Sequence, residues 1–408
     1  MNKLWQKVAF FIATAVAIIY TYSLFQRFTR YFAGGTATLH TRGVAMVITA
    51  TIFLLTIIVG EKKWSFRMSV ILVHFLFFAL CTQGVDLLLK AVVGEENLHT
   101  WNSVFSVLII PMLLTFITVA AGYLNMMDIR RKEYTVYTEK QLRSEGYRIL
   151  FISDLHFGNA LKRKHLDEII PLLSKEKADL VLIGGDVIDE HTKRRQVVRV
   201  FGELGKIDSE YGNYFVFGNH DRGEYDKTAH LIDEDRLKSI IEKSGIVNLE
   251  SDRVYINDDL VIIGRDDRYY EKQSVQQLMH QVPQDRFILV MDHQPYEFRE
   301  KSEAGVDLEL SGHTHGGQFW PLGRMIERMQ DQNYGIRKWG NMTAIVTSGM
   351  SGGNMAVRTS YHSEYVVIDI LPEKKGKRNE EKDNTGIGIT QEKRTSHADG
   401  CSARDKAI

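Results

Sequence analysis

Five short segments of the sequence bring together carboxylate, imidazole and amide side chains at spacings suited to metal binding. The segments are Asp154-Leu155-His156, Gly184-Gly185-Asp186, Gly218-Asn219-His220-Asp221, Asp292-His293 and Gly312-His313-Thr314-His315. In extended backbone, side chains two residues apart point to the same side, so an Asp-x-His or His-x-His pair can offer two ligands to one ion. The mixed nitrogen and oxygen set suits manganese, iron or zinc, whereas a calcium site would use oxygen alone.

If such a set holds two divalent ions, one reaction that it can support is hydrolysis at phosphorus. The candidate ligands are Asp154, His156, Asp186, Asn219, His293, His313 and His315. Two divalent ions about 3.5–4 Å apart can polarise a phosphoryl oxygen and lower the pKa of a bridging water from about 16 toward about 7. The resulting metal-bridging hydroxide can attack phosphorus in line. From the donor set we expect divalent manganese, iron or zinc as the cofactor.

The elements that must position these ligands are short strands that alternate with amphipathic helices from Tyr147 onward, a pattern typical of βα units. Strands are predicted at 148–153, 180–183, 214–217, 253–256, 260–263, 287–291, 307–310, 344–347 and 365–370, and helices at 162–175, 196–204 and 235–243. Each of the five segments follows a predicted strand, and ligands bind outside the carboxyl ends of strands in α/β sheets. The loops are therefore expected to converge, and so many strands predict two packed sheets flanked by helices.

The first 127 residues have a different composition, with four nearly uncharged apolar segments at about 8–26, 43–60, 68–85 and 101–125. Each approaches the roughly 20 residues that cross a bilayer as a helix. A cleaved signal peptide at the first segment and four buried soluble helices are the alternatives. Basic residues favour one side eight to four: Lys3, Lys7, Lys62, Lys63, Arg67, Arg130, Arg131 and Lys132 against Arg27, Arg30, Arg42 and Lys90. By the positive-inside rule, this predicts a multi-pass cell-membrane protein with a cytoplasmic catalytic domain.

Charge and cysteine content exclude several classes of function. The 408 residues carry 51 basic and 51 acidic side chains, so no nucleic-acid partner is expected. Two cysteines, Cys81 and Cys401, exclude a disulfide scaffold and a cysteine-rich zinc site. The charged segment 372–408 has almost no aliphatic clusters and is predicted to be a disordered tail. Segment 128–146 is predicted to be a linker, with a short strand at 134–137.

The order of the five segments resembles the signature of the calcineurin-like metallophosphoesterase family: Asp-x-His, Gly-Asp-x-x-Asp, Gly-Asn-His-Asp/Glu, a single His, and Gly-His-x-His. The resemblance covers residues 147–370, and the sequence from Gly312 to Gln318 is similar to a membrane-anchored bacterial branch. The family resemblance implies an α/β fold, a four-layer sandwich of two β-sheets flanked by helices. Here it would follow a four-helix transmembrane region at 1–127 and occupy residues 147–371.

The resemblance also implies a role for each site residue. Asp154, His156 and His315 would hold one metal ion, Asn219, His293 and His313 would hold the other, and Asp186 would bridge both. His220 would contact the phosphoryl group and protonate the leaving oxygen as the general acid, and Asp221 would orient it. Asp189 would bond the backbone or a ligand. Because His362 and Ser363 stand where the family has prolines, Arg358 is assigned no role in phosphate binding.

The resulting hypothesis is a membrane-anchored, dinuclear metal-dependent phosphoesterase that hydrolyses a phosphodiester, phosphomonoester or pyrophosphate bond. Its partners would be the lipid bilayer and a phosphate-ester substrate, which tethering makes a candidate to be lipid-linked. The alternatives are a phosphodiesterase for soluble nucleotides and a non-hydrolytic membrane sensor with the same fold. A nuclease is disfavoured because the chain shows no basic, aromatic-rich stripe.

Overall fold

The computed structural model describes residues 3–33, 38–58, 62–94, 108–190, 192–223, 232–268, 270, 273–321, 323, 331–373 and 387–388. The chain divides into two compact units, Met1–Ala121 and Gly122–Ile408. The boundary lies within one helix, whose last turn therefore belongs to the second unit.

The first unit is helical. Its elements are α1 (Lys3–Phe32), α2 (Leu39–Ile58), α3 (Lys62–Val93) and most of α4 (Ile110–Met127). Within the described residues, two stretches are long and apolar enough to cross a membrane, Phe66–Val93 and Ile110–Met127. The predicted spans at 68–85 and 101–125 fall on these two helices, although residues 101–107 lie outside the described residues. The spans at 8–26 and 43–60 fall on α1 and α2, although residues 59 and 60 lie outside the described residues, and both spans stay predictions.

The second unit contains two mixed β-sheets, and the prediction of two sheets flanked by helices is confirmed. In chain order the strands are β1 (Ile129–Thr138), β2 (Tyr147–Ile152), β3 (Leu180–Ile183), β4 (Asn213–Phe215), β5 (Ile246–Asn248), β6 (Asp252–Ile256), β7 (Leu260–Gly264), β8 (Phe287–Met291), β9 (Leu308–Ser311), β10 (Gly335–Trp339), β11 (Met342–Val346), β12 (Ser363–Pro372) and β13 (Ile387–Gly388). The sheet orders are β13-β1-β12-β2-β3-β4-β5 and β10-β11-β9-β8-β7-β6.

Helices cover the outer face of each sheet. They are α5 (Arg163–Ser174), α6 (Arg194–Leu204) and α7 (Glu234–Lys243) on the first sheet, and the short α8 (Val275–Leu278) and α9 (Phe298–Glu303) on the second. Strand β2 illustrates how the sequence specifies this layering. Its alternate residues Ile149 and Phe151 pack between the sheets, while Leu150 and Ile152 pack under the helices. Because both faces are buried, the strand is apolar throughout.

Strand β1 changes the interpretation of segment 128–146, which was predicted to be mainly a linker. The strand pairs in parallel with β12 along ten residues, from Ile129 opposite Ser363 to Thr138 opposite Pro372. The side chain of Tyr134 is buried in the core between the two sheets. The predicted short strand at 134–137 is therefore the second half of a longer one. The predicted disordered tail lies largely outside the described residues, apart from β13, which pairs with β1.

Parallel pairing brings the site-bearing loops to common edges of the two sheets. Strands β2, β3 and β4 run parallel to one another in the first sheet, and β7, β8 and β9 do so in the second. Their carboxyl ends therefore face the same way within each sheet, and the loops that leave them lie side by side.

A buried ion group supports the second sheet where β8, β9 and α9 meet. The Lys301 Nζ atom lies 2.8 Å from Asp292 Oδ2 and 3.1 Å from Glu309 Oε1. All three residues are fully buried. Arg265 Nη1 also lies 2.9 Å from Asp292 Oδ2. Lys301 is thus the cation that pairs with Glu309, and it shares Asp292 with Arg265. Asp292 is the residue before the candidate ligand His293.

We expect Lys301→Met to lower the free energy of unfolding by about 3–5 kcal/mol, because removing one member of a buried ion pair leaves carboxyl groups without compensation. Denaturant unfolding of the detergent-solubilised chain would measure the change. Lys164→Met is the matched control, since its side chain is 84% exposed and pairs only across one helical turn. The control should change stability by no more than about 0.5 kcal/mol. Equal changes in the free energy of unfolding for the two variants would contradict the role of Lys301 in compensating the buried carboxylates.

Candidate metal centre

Five of the seven predicted ligands adopt a left-handed backbone conformation immediately after a strand. The φ angles are 56° at Asp154, 45° at His156, 50° at Asp186, 67° at His313 and 51° at His315. The prediction that the Asp-x-His and His-x-His pairs lie in extended backbone is therefore wrong. The side chains still converge, because the left-handed residues turn the chain sharply back at the strand ends. Such conformations are unfavourable for non-glycine residues and cluster at functional sites.

Two glycines leave room for the carboxylates of the centre. A Cβ atom at Gly218 would lie 2.2 Å from Asp186 Oδ1, and a Cβ atom at Gly312 would lie 2.2 Å from Asp154 Oδ2. Any side chain at either position would collide with a candidate ligand. The glycines of these motifs are thus needed for close approach of neighbouring loops.

The first ligand group consists of Asp154, His156 and His315, whose ligand atoms all lie within 4.8 Å of one another. The two imidazole Nε2 atoms are 3.2 Å apart, and His315 Nε2 lies 3.7 Å from Asp154 Oδ1. Each ring is held through its other nitrogen: His156 Nδ1 lies 2.9 Å from Asp189 Oδ1, and His315 Nδ1 lies 3.1 Å from the carbonyl oxygen of Ser351. Asp189 therefore bonds a ligand, as predicted.

The second ligand group consists of Asp186, His293 and His313, again within 4.8 Å of one another. His293 Nδ1 lies 2.7 Å from the carbonyl oxygen of Gly184, and His293 Nε2 lies 3.1 Å from Asp186 Oδ2. Asn219 is fully buried, and neither atom of its amide group has a hydrogen-bond partner among the described residues. A buried amide without a partner is costly unless another ligand binds it.

The orientation of the histidine rings fits a divalent cation. The Nδ1 atoms of His156, His293 and His315 face oxygen acceptors, which leaves the Nε2 atoms directed at the ligand groups. The Nε2 atoms of His156 and His315 face each other at 3.2 Å. Asp186 Oδ2 lies 4.0 Å from His156 Nε2 and so borders the first group as well as the second. Imidazole rings held through their outer nitrogen beside buried carboxylates are suited to metal ions.

The pKa values of the metal-free histidines differ according to their distance from the buried carboxylates and from one another. Burial acts to lower the pKa of His293, but the carboxylate of Asp186 outweighs burial and raises that pKa well above its ordinary value. Burial and the neighbouring His293 lower the pKa of His313 to about 3, and burial with His156 holds the pKa of His315 well below its ordinary value. The extra proton on His293 would thus be exchanged for metal charge on binding, whereas His313 and His315 are already neutral.

His220 lies beside both groups without being a member of the two triads above. Its Nδ1 atom lies 3.0 Å from Glu190 Oε1 and 3.3 Å from Asp189 Oδ1. Burial acts to lower the pKa of His220, but Asp186, Glu190 and Asp189 outweigh it and raise the pKa to about 9. His220 is therefore cationic near neutral pH, with Nδ1 held by two carboxylates and Nε2 on the opposite side of the ring.

Asp221 has partners in the backbone of two loops, and its predicted role in orienting His220 stays a prediction. Its carboxylate accepts hydrogen bonds from the backbone N–H groups of Asp186 (2.7 Å), Ile188 (3.1 Å) and Gly218 (2.9 Å). These bonds join the loop after β3 to the loop after β4, and so set the position of Asp186. The sequence carried no signal that distinguished Glu190 from Asp221, because both stand among other polar residues of the same two loops.

The structure also assigns Arg358 a place. It is fully buried, and its guanidinium group donates hydrogen bonds to the carbonyl oxygens of Gly349 (3.0 Å), Ser351 (3.1 Å) and His315 (2.8 Å). These hydrogen bonds are directed at the backbone of the loops that carry the ligands.

Comparison with known proteins agrees with this site. The family model described as "Calcineurin-like phosphoesterase" matches residues 147–317. A metallophosphoesterase of Helicobacter pylori is 27% identical over 248 residues, which are 59% of this chain and 64% of that protein. The chain thus spans less than two thirds of that relative. Phosphodiesterase YaeI of Escherichia coli is 28% identical over 234 residues, 55% of this chain and 82% of that protein.

A relative from Danio rerio is named "Transmembrane protein with metallophosphoesterase domain". It is 26% identical over 318 residues, which are 73% of this chain and 70% of that protein. Among solved structures, TT1561 of Thermus thermophilus aligns with a TM-score of 0.35 and 13% identity, covering 50% of this chain and 90% of that one. Residues 147–317 of this chain are thus similar to the calcineurin-like phosphoesterase domain, the hydrolase domain of these relatives.

Proposed function

We propose that this chain is a membrane-anchored phosphoesterase that holds two divalent metal ions and hydrolyses a phosphodiester, phosphomonoester or pyrophosphate bond. The observation that carries the proposal is the pair of ligand groups that Asp186 borders, with His220 beside them. Asp154, His156 and His315 would hold one ion, Asn219, His293 and His313 would hold the other, and Asp186 would serve both. When bound, the ions would act as Lewis acids that activate water and neutralise phosphoryl charge.

The protein's own contribution to the reaction centres on His220. Its Nδ1 atom is engaged by Glu190 and Asp189, so Nε2 is the atom that can meet the phosphoryl group or the leaving oxygen. A cationic imidazole there would stabilise negative charge and then donate its proton to the leaving oxygen. We infer that Glu190, rather than Asp221, orients this general acid, and that Asp221 holds the loop of Asp186 in place.

The membrane anchor gives the proposal its substrate class. Two helices of membrane-spanning length and the transmembrane relative support association with a bilayer. Basic residues at 130–132 follow α4 directly and would lie at an anionic membrane surface, which supports a cytoplasmic catalytic domain. A lipid-linked phosphate is then the favoured substrate, and a soluble nucleotide diester is the alternative. The name of the Escherichia coli relative, a phosphodiesterase, supports a diester of either kind.

Asp186→Asn should abolish most of the hydrolysis of a chromogenic phosphodiester such as bis(p-nitrophenyl) phosphate. The loss should reach about 10³-fold or more, because metal ions supply several kcal/mol of transition-state stabilisation. Metal content would be measured in parallel and should fall. Asp208→Asn, at an exposed position, is the matched control and should retain both. Chelator-treated wild type should regain activity with manganese; inactivity with every divalent metal tried would contradict the proposal.

Glu190→Gln should slow hydrolysis of esters with poor leaving groups more than that of esters with good ones. A proton donor matters most when the departing oxygen is strongly basic, and removing it typically costs about 10²–10⁴-fold. We expect a smaller loss, about 10-fold, for a phenyl ester and little change for a dinitrophenyl ester. Glu242→Gln, which is exposed, serves as the control. A uniform loss across leaving groups would assign Glu190 a purely structural role.

The substrate class can be tested by offering the detergent-solubilised chain phospholipid micelles and soluble nucleotide diesters at equal phosphate concentration. A lipid-linked substrate predicts that kcat/KM for the micellar phosphate exceeds that for the soluble diesters at least about 10-fold, the ratio that 1.4 kcal/mol of additional binding produces. Asp186→Asn provides the background rate. Preference for the nucleotide diester would favour the alternative.

A further inference from the structure

The last turn of α4 is hydrogen-bonded to residues 357–363, which we call the anchor segment. Asn125 Nδ2 donates to the carbonyl oxygens of Arg358 (2.9 Å) and Tyr361 (3.3 Å). The backbone N–H of Arg358 donates in return to the carbonyl oxygen of Gly122 (2.9 Å). All of these residues belong to the second unit. Both backbone polar groups of Arg358, its N–H and its carbonyl oxygen, are thus hydrogen-bonded to the helix.

The same turn is in close contact with the anchor segment through its small residue. A Cβ atom at Gly122 would lie 2.7 Å from Val357 Cγ1 and 2.8 Å from Thr359 Cγ2. At the other end of the anchor segment, Ser363 Oγ donates to the carbonyl oxygen of Met126 at 2.7 Å. The last turn of α4 and the anchor segment are therefore hydrogen-bonded at both ends of their contact. A shift of either one would break several of these hydrogen bonds.

From the anchor segment, the Arg358 side chain reaches into the metal centre. Its Nη1 atom donates to the carbonyl oxygens of Gly349 and Ser351, and its Nη2 atom donates to those of His315 and Ser348. A guanidinium group presents five N–H donors in one plane, and no other side chain could serve these four acceptors together. Arg358 therefore ties the loop after β11 to the loop after β9.

The bonds of Arg358 bear directly on the first ligand group. The Ser351 carbonyl that it binds also accepts from His315 Nδ1 at 3.1 Å, and so sets which nitrogen of that ring faces the metal. Ser351 N additionally donates to the carbonyl oxygen of Asp154 at 3.0 Å. Partners of this kind orient metal ligands and raise metal affinity. None of these contacts involves the second ligand group of Asp186, His293 and His313.

We propose that the last turn of α4 is part of the metal centre: Asn125 is a positioning residue that acts through Arg358 on His315 and sets the affinity of the first metal position. This inference rests on the proposed function, because it requires that His315 binds a metal ion. It goes beyond that function in making a helix of membrane-spanning length a determinant of metal occupancy. The helix is then more than a tether.

The test is manganese binding by the full chain in detergent micelles, after removal of metal with a chelator. Free Mn²⁺ would be followed by electron paramagnetic resonance, so the readout does not depend on activity. Asn125→Ala should raise the dissociation constant of one of the two metal positions about 3- to 10-fold and leave the other unchanged. Outer partners of metal ligands are typically worth about 10–100-fold, and Asn125 is one step further removed. Asn125→Asp, which replaces the donor by an acceptor that faces two carbonyl oxygens, should have the larger effect.

Leu124→Ala is the matched control, because Leu124 lies in the same turn and its side chain is 68% exposed. It should leave both dissociation constants unchanged. Thermal unfolding of the metal-free variants separates positioning from folding, since a positioning residue changes metal affinity with little change in the midpoint. Unchanged affinity in both Asn125 variants, or a parallel loss at both metal positions together with a lowered midpoint, would overturn the inference. Absence of manganese binding by wild type would overturn the proposed function itself.

Discussion

Two buried carboxylates, those of Asp154 and Asp186, impose the constraint on which the rest of the catalytic unit depends. Both are wholly or almost wholly buried, and ionised groups without compensation are very costly in a protein interior. The chain supplies part of the compensation through backbone N–H groups, from His313 to Asp154 and from His220 to Asp186. The imidazoles around them supply nitrogen lone pairs, which favour a cation at the same place. In the metal-free protein, protonation of His293 and His220 offsets part of this negative charge, and a bound cation would take over that compensation at the ligand nitrogens.

Maintaining that arrangement requires the surrounding fold to hold strained backbone in place. The left-handed conformations of the ligands cost roughly 1–3 kcal/mol each and persist only where neighbouring structure over-determines them. Here the support comes from the apolar layers on both faces of the strands, from Asp221 across two loops, and from Arg358 across two others. Each brace connects loops from different strands, so the geometry of the centre belongs to the whole sandwich and not to any one motif.

Much of this architecture could be predicted from the sequence because it depends on local patterns. Apolar strands such as β2 and β3 are recognisable, since both of their faces are buried, and the ligands stand directly after strand ends.

What could not be predicted depends on contacts between distant segments. Glu190 and Asp221 are both acidic and both lie near His220 in the sequence or the fold. Only the conformation of the two loops determines which carboxylate contacts the imidazole. Strand β1 has a charged, weakly alternating sequence, and its identity as a strand depends on pairing with β12. The predicted spans at 68–85 and 101–125 fall on helices of membrane-spanning length, because the length of an apolar segment can be read directly from the sequence.

The pairing of β1 with β12 has a consequence for how the protein is made. Strand β1 follows α4 directly and is synthesised first, yet its parallel partner is the last long strand of the domain. The sheet therefore cannot close until nearly all of the catalytic unit has left the ribosome, and contacts of such high sequence separation form slowly. During that interval β1 would be an unpaired strand, exposed to incorrect pairing. Its Arg130, Arg131 and Lys132 side chains are charges of the kind that keep unpaired strands apart, so these residues would also protect the nascent chain.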